Sequence, residues 1–262
     1  PLPSMALLAH TLALLAMAVA TVVVNVVTLD MEWNSFDDQY LGCVPAMTEA
    51  LPALNRSELQ QNPVFAQAWA EAVAEWQNRG SHVPPLSPDQ LVALRAFIAE
   101  NLYEEFTKAL RTAGRSRQEY RDNFHFKTLH FLLTQALGRL REAQKGQCQD
   151  VFWEMCDVQR RAWHGDIVRF GLFLFTSLRK LPAHCLGKRM VLQVHTCHGA
   201  EMEKLFEHLV DVVVIPPFET FEVTDVTEEG NTTQIQLHST GTFSNYNCEW
   251  LRGDSTGDSL GD

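Results

Sequence analysis

Val210-Asp211-Val212-Val213-Val214-Ile215-Pro216-Pro217-Phe218-Glu219-Thr220-Phe221-Glu222-Val223 is the stretch that decides the fold. A β-branched run ended by two prolines reads as a buried strand over 210–215, because proline cannot donate to a ladder and must end it. A corner and a second strand over 218–223 follow. Phe218, Thr220 and Glu222 then share one face, and Glu219, Phe221 and Val223 the other. Asp211 is a carboxylate inside the apolar run, so it must pair, reach solvent or act.

Around this pair, residues 167–175, 190–196 and 234–238 also read as strands. Before Gly146 the texture is helical. Phe65, Trp69, Ala72, Val73 and Trp76 form one apolar stripe that should stop near Gly80. Ser87-Pro88-Asp89-Gln90 is a helix start with a capping serine and a proline in the first turn. Its apolar face, Leu91, Leu94, Ile98, Leu102, Phe106 and Leu110, predicts one helix to a stop at Gly114. Ser116-Arg117-Gln118-Glu119 is a second capping box, predicting a helix through Phe126, Leu129, Leu133, Ala136, Leu137 and Leu140. His125, Lys127 and His130 on it read as interfacial or solvated side chains. Helices first and strands afterwards indicate an α+β fold.

The chain has 262 residues, 21 basic and 32 acidic, for a net charge of −11. That balance excludes a phosphate-backbone binder, so nucleic acid is not an expected partner. Residues 1–27 read as a secretory signal peptide cleaved after Ala18-Val19-Ala20, with an uncleaved membrane anchor as the alternative. Residues 253–262 read as a flexible acidic tail, and Arg252-Gly253-Asp254 matches an integrin-contact tripeptide of the kind that recurs by chance. Six cysteines with no C-x-x-C pair suit an oxidising, extracellular setting. His195-Thr196-Cys197-His198 reads as a disulfide cysteine flanked by ordinary histidines, and no metal is expected. Asn55-Arg56-Ser57 and Asn231-Thr232-Thr233 are glycosylation sequons.

Several short motifs resemble the arginine-specific ecto-mono-ADP-ribosyltransferases of vertebrates, the secreted avian ones above all. They are Phe36-Asp37-Asp38-Gln39-Tyr40 with Gly42-Cys43, Gly114-Arg115-Ser116-Arg117, Phe126-Lys127-Thr128-Leu129-His130-Phe131 and Val168-Arg169-Phe170-Gly171. Thr196-Cys197-His198-Gly199, Ile215-Pro216-Pro217-Phe218-Glu219 and Tyr246-Asn247-Cys248 complete the set. The resemblance implies a single domain over 28–252, mainly helical over 28–146 and mainly β over 147–252. Its helical part would pack on a two-sheet β core whose cleft holds NAD. It also implies a monomer, NAD and arginine-bearing proteins as partners, and bridges Cys43–Cys248 and Cys148–Cys197. Cys156 and Cys185 match no bridge in that pattern.

The family's chemistry moves ADP-ribose from NAD to arginine through a cationic ribose, as in glycoside cleavage. By the resemblance, the arginine that contacts the NAD phosphates falls on Trp153, and a neighbouring glycine on Glu154. The first serine of a Ser-x-Ser pair falls on Phe175, followed by Thr176 and the retained Ser177. The essential glutamate falls on Val212 and its partner on Val210. Asp211 is the sole acid available as a substitute. The resemblance therefore implies a transferase with weakened or lost activity. The alternative, from another class, is a non-catalytic secreted binding protein on the same fold.

Overall fold

The computed structural model describes residues 25–79, 85–180, 185, 187–203, 205–206 and 209–253. Most of the leader, Gly80, Asp254 and the rest of the tail lie outside the described residues. Strand β1 (Asn25–Thr28) precedes helices α1 (Val44–Gln61), α2 (Pro63–Arg79), α3 (Pro88–Phe97), α4 (Glu100–Ala113), α5 (Arg117–Asn123) and α6 (Lys127–Ala143). Strands β2 (Gln149–Cys156), β3 (Val158–Arg161), β4 (Ile167–Arg169), β5 (Leu174–Ser177) and β6 (Arg189–Thr196) follow. The last are β7 (Ala200–Glu201), β8 (Val212–Ile215), β9 (Glu219–Glu229) and β10 (Thr232–Thr242). The fold is α+β, with the helices gathered ahead of a large mixed sheet.

The capping box at Ser87 forms in both directions, Gln90 N donating to the serine hydroxyl (3.3 Å) and Ser87 N to the Gln90 side chain (2.9 Å). The single helix expected from there is broken, however. α3 ends at Phe97, Ala99 is extended, and α4 restarts at Glu100. No glycine or proline marks the break; packing makes it. Phe97 and Phe106 both pack on Phe173, at 6.0 and 5.8 Å between ring centroids. Nine residues apart on one straight helix, they would point about 180° away from each other. The corner lets both enter one aromatic cluster. α4 then buries Leu102, Phe106 and Leu110 completely, each worth roughly 1.5–3 kcal/mol.

The second long helix is broken as well. Ser116 accepts from Glu119 N (3.0 Å), but α5 ends at Asn123 and Phe124 is extended. The fresh start of α6 is capped from a distance. The carboxylate of Glu58, on α1, accepts from Lys127 N (2.6 Å) and Thr128 N (2.8 Å), satisfying two orphan N–H groups. Lys127 Nζ turns back to donate to Arg121 O (3.0 Å) and Phe124 O (2.5 Å), closing the end of α5. Lys127 and His130 are thus buried, not solvated. Burial lowers Lys127 to about 8 and His130 to about 3. The His130 ring nitrogen Nδ1 lies 2.7 Å from the Tyr40 hydroxyl.

Eight strands run in the order β4-β9-β10-β6-β2-β5-β8-β7, while β1 and β3 form a separate parallel pair. β1 takes in Asn25 to Val27, so structure begins inside the segment assigned to the leader. β2 and β5 share one register pair, Phe152 with Ser177. The five-strand and three-strand parts of the sheet are therefore joined at a single point. The β-prone piece 167–175 is two strands, β4 and β5, and β9 and β10 run well beyond 218–223 and 234–238. β2 and β3 fall in the part expected to be mainly β, although the residue pattern had not marked them off as strands.

Two acidic neighbours clasp the chain's beginning to its end. Arg169, fully buried, pairs with Asp37 and donates Nε to Met31 O (2.9 Å) and Nη2 to Glu32 O (3.2 Å). Asp37 also accepts from Asn245 N (2.9 Å) and Tyr246 N (3.1 Å). Asp38 accepts from Tyr40 N (2.7 Å), Cys248 N (2.9 Å) and Glu249 N (2.9 Å), while burial pushes its carboxyl up. A bridge between Cys43 and Cys248 closes the same seam. Gly171, at φ +63°, must be glycine because a Cβ would collide with the Ser35 side chain.

Candidate functional site

A cleft of about 490 Å³ opens where β2 and β5 part. Its walls include Trp153 and Glu154 from β2, Phe175, Thr176 and Ser177 from β5, and Asp211 with Val212 at the start of β8. The fold thus brings the residues singled out from sequence to one place. Ile98, at the corner between α3 and α4 and read from sequence only as part of an apolar helix face, and Arg179, just past β5, also line it.

Strand β8 begins at Val212, two residues later than expected. Val210 is 50% exposed, and Asp211 sits at φ +61° in a turn in which Val212 N donates to Leu209 O (3.3 Å). Aspartate tolerates this left-handed conformation far better than valine does, which places the turn at that residue. Asp211 takes the pairing option. Its Oδ2 lies 2.7 Å from Arg179 Nε, and Asp211 O accepts from Leu178 N (2.8 Å). With Arg179 73% exposed, the pair is well screened.

Val212 lies directly opposite Ser177 in the antiparallel register of β8 and β5. The residue on which the resemblance sets the essential glutamate therefore faces Ser177, and it presents only methyl groups. Ser177 Oγ accepts from Arg179 N (3.1 Å) and keeps its own proton to donate. Thr176 is buried, its hydroxyl donating to Val213 O (2.8 Å). Phe175 stacks flat on Phe97, with centroids 4.9 Å apart, so its ring is held by the helical layer. Trp153 packs edge-on against Phe170 at 6.0 Å. Glu154 accepts from Arg189 Nη2 (2.5 Å) through one oxygen, while its other, Oε1, is buried with no hydrogen-bond partner among the described residues.

The Ile-Pro-Pro corner places Glu219 behind this cleft as a structural hub. Buried, it accepts from Thr196 Oγ1 (2.6 Å), Cys197 N (2.7 Å), His198 N (3.1 Å) and Ser239 Oγ (2.7 Å). Burial raises its carboxyl, and those four bonds oppose the rise. Bridges join Cys148 to Cys197 and Cys156 to Cys185. The latter pair, for which the resemblance offered no partner, ties the end of β2 to the β5–β6 connection. The sulfurs of Cys148 and Cys197 lie within 4.8 Å of a His195 nitrogen, but the bridge leaves no thiolate to hold a metal there.

Residues 29–245 match the profile of the NAD:arginine ADP-ribosyltransferase family. The erythroblast NAD(P)(+)–arginine ADP-ribosyltransferase of Gallus gallus is 43% identical over 231 residues, covering 86% of this chain and 77% of that one. The human GPI-linked NAD(P)(+)–arginine ADP-ribosyltransferase 1 is 40% identical over 245 residues, covering 86% and 75%. The crystal structure of the mono-ADP-ribosyltransferase ART2.2 superposes with a TM-score of 0.68 at 28% identity, over 85% of this chain and 98% of that one. A variant of ART2.2 crystallised with NAD matches equally well. With most of its length inside the profile and such identities to curated relatives, the chain belongs to the NAD:arginine ADP-ribosyltransferase family.

Proposed function

We propose that this family member is secreted and that its transfer of ADP-ribose from NAD to arginine is weak or lost. The observation that carries the reading is Val212 facing Ser177. As nicotinamide leaves, positive charge grows on the ribose and needs a carboxylate beside it. Val212 offers none, and Asp211 is turned off the strand into its pair with Arg179. The donor set also fits a pyrophosphate poorly. Trp153 supplies bulk where charge-assisted bonds are needed, and Glu154, already paired with Arg189, offers an anion no donor. Thr176 has already spent its proton on Val213, leaving Ser177 as the hydroxyl best able to engage a nucleotide.

Removing one preorganised stabilising group costs on the order of 10²–10³ in rate, and groups acting as a unit do not multiply. The purified, oxidised protein, given labelled NAD and a small guanidino acceptor, should turn over at least about 10²-fold more slowly than an intact relative. Turnover at an intact relative's rate, abolished by Asp211→Asn, would overturn the reading and name the substitute acid. The apolar wall of Trp153, Phe175 and Val212 favours one second reading, a cleft that binds a ligand without turning it over. Saturable NAD binding without nicotinamide release would select it.

Three bridges support an extracellular setting, in which residues 28–252 act as one monomeric domain between leader and tail. Among the described residues no helix is long and apolar enough to cross a membrane. Of the two sequons, Asn231 is exposed in the turn between β9 and β10, whereas Asn55 is half-buried inside α1. Glycan is expected at Asn231.

A further inference from the structure

A second recess, of about 570 Å³, lies away from the cleft, between the β3–β4 turn and the β9–β10 hairpin. Arg161, Trp163, His164, Glu228 and Thr233 are among its lining residues. Trp163 is 61% exposed, yet the turn that carries it is pinned in place. Trp163 N donates to Asp166 Oδ2 (2.8 Å), and Gly165 N donates to Val223 O (2.8 Å). The indole therefore stands near the level of Val223, whereas Glu228 and Thr233, which are register partners, stand near the hairpin turn. Between Val223 and Glu228 the strand β9 advances roughly 16 Å. The recess is thus an elongated trough, with the length of an oligosaccharide rather than of a single sugar.

Arg160 and Arg161 are balanced there by Asp225 and Glu228, so a strongly charged ligand gains little. An exposed indole beside planar polar side chains suits a pyranose. The C–H face of the sugar packs on the ring, and its hydroxyls pair with guanidinium and carboxylate groups. One such ligand starts within reach. Thr233 is the last residue of the sequon Asn231-Thr232-Thr233, so the Cα of Asn231 lies at most about 7 Å from that of a lining residue. Asn231 is exposed in the hairpin turn, and its carbonyl accepts from Arg189 N (2.8 Å), which fixes the root of any chain attached to it. We propose that the glycan on Asn231 lies along this trough, its first sugars beside Glu228 and Thr233 and a later one stacked on Trp163. This seat rests on the reading that Asn231 is glycosylated, and it uses no residue of the cleft.

The full chain secreted from animal cells grown on isotope-labelled glucose tests the seat by nuclear magnetic resonance. Mass spectrometry of the Asn231 peptide is read first. An unmodified Asn231 would overturn the glycosylation reading and the seat together. With Asn231 modified, sugar C–H protons should shift upfield from their positions in the released glycopeptide, as protons over an aromatic ring do, and show nuclear Overhauser contacts to the Trp163 indole. Trp163→Ala should lose both signals while Asn231 stays modified. Sugar resonances matching those of the released glycopeptide would overturn the seat alone, as would upfield shifts that survive in Trp163→Ala. If that variant failed to fold, the contact to Trp163 in the unmodified protein would decide, and its absence would refute the seat.

Discussion

The clasp around Asp37 and the cleft beside β5 each hold an arginine–aspartate pair, and they use it in opposite ways. In the clasp, Arg169 and Asp37 are both fully buried, and backbone groups from two distant segments complete their hydrogen bonds. Losing either partner strands a charge away from water. In the cleft, Arg179 and Asp211 meet at the surface, where water takes over from either one. The clasp therefore resists substitution, while the cleft can change residue by residue with little effect on folding. That contrast fits a chain whose resemblance to the family rests on framework motifs while tryptophan, phenylalanine and valine line its cleft.

The largest effect should come from unstapling the clasp. Cys43→Ser with Cys248→Ser removes a bridge spanning 205 residues, worth roughly 5 kcal/mol in the chain-entropy model. Urea unfolding would read it, and a loss under about 2 kcal/mol would mean that the clasp's hydrogen bonds already close the seam. Next, Asp37→Ala should cost about 3–5 kcal/mol in the same assay, because Arg169 is left buried and unpaired. A cost below about 1 kcal/mol would place this pair in the same class as the surface one.

His130, packed beside Phe36 and Tyr40 behind the clasp, gives the framework a pH dependence. Below its ordinary 6.5 the unfolded chain takes up a proton that the folded chain, near 3, refuses. The unfolded state then binds more protons, so stability is lost as the pH drops through that window, by about 2 kcal/mol from pH 7 to pH 5 from this residue. Asp38, Glu58 and Glu219, raised by burial, oppose the trend. The contribution is therefore read as the difference in acid slope between the protein and His130→Gln; identical slopes would remove it. The smallest effect belongs to the cleft. Asp211→Asn should shift stability by at most about 1 kcal/mol, and a loss above about 3 kcal/mol would abolish the contrast between the two regions.

What was legible in the sequence was local. The capping box at Ser87, the stripe of α2 and the Ile-Pro-Pro corner are written within a few neighbouring residues, and each appears where expected. The breaks at Ala99 and Phe124 were not legible, because their causes lie elsewhere in the chain. Phe173 draws in two helices, and Glu58 caps one from 69 residues away. The late start of β8 follows from a backbone choice at Asp211 that a run of valines conceals. In the cleft, the resemblance located Trp153, Phe175 and Val212 on one wall, since register carries motif spacing into space. It could not supply Arg179 or Arg189, whose importance comes from the partner each meets across the fold.

The bridge at the clasp also sets how the molecule would bear a mechanical load. Cys43 and Cys248 lie 6.1 Å apart between Cα atoms, although 205 positions separate them along the chain. A pull on the two ends passes straight across that covalent link. Roughly 700 Å of extended contour between the cysteines stays out of the force path until the disulfide is reduced. Stretching the oxidised protein should load β1 and the residues leading to Cys43, whereas the elements from α1 to β10 lie inside the covalent loop and out of the direct force path.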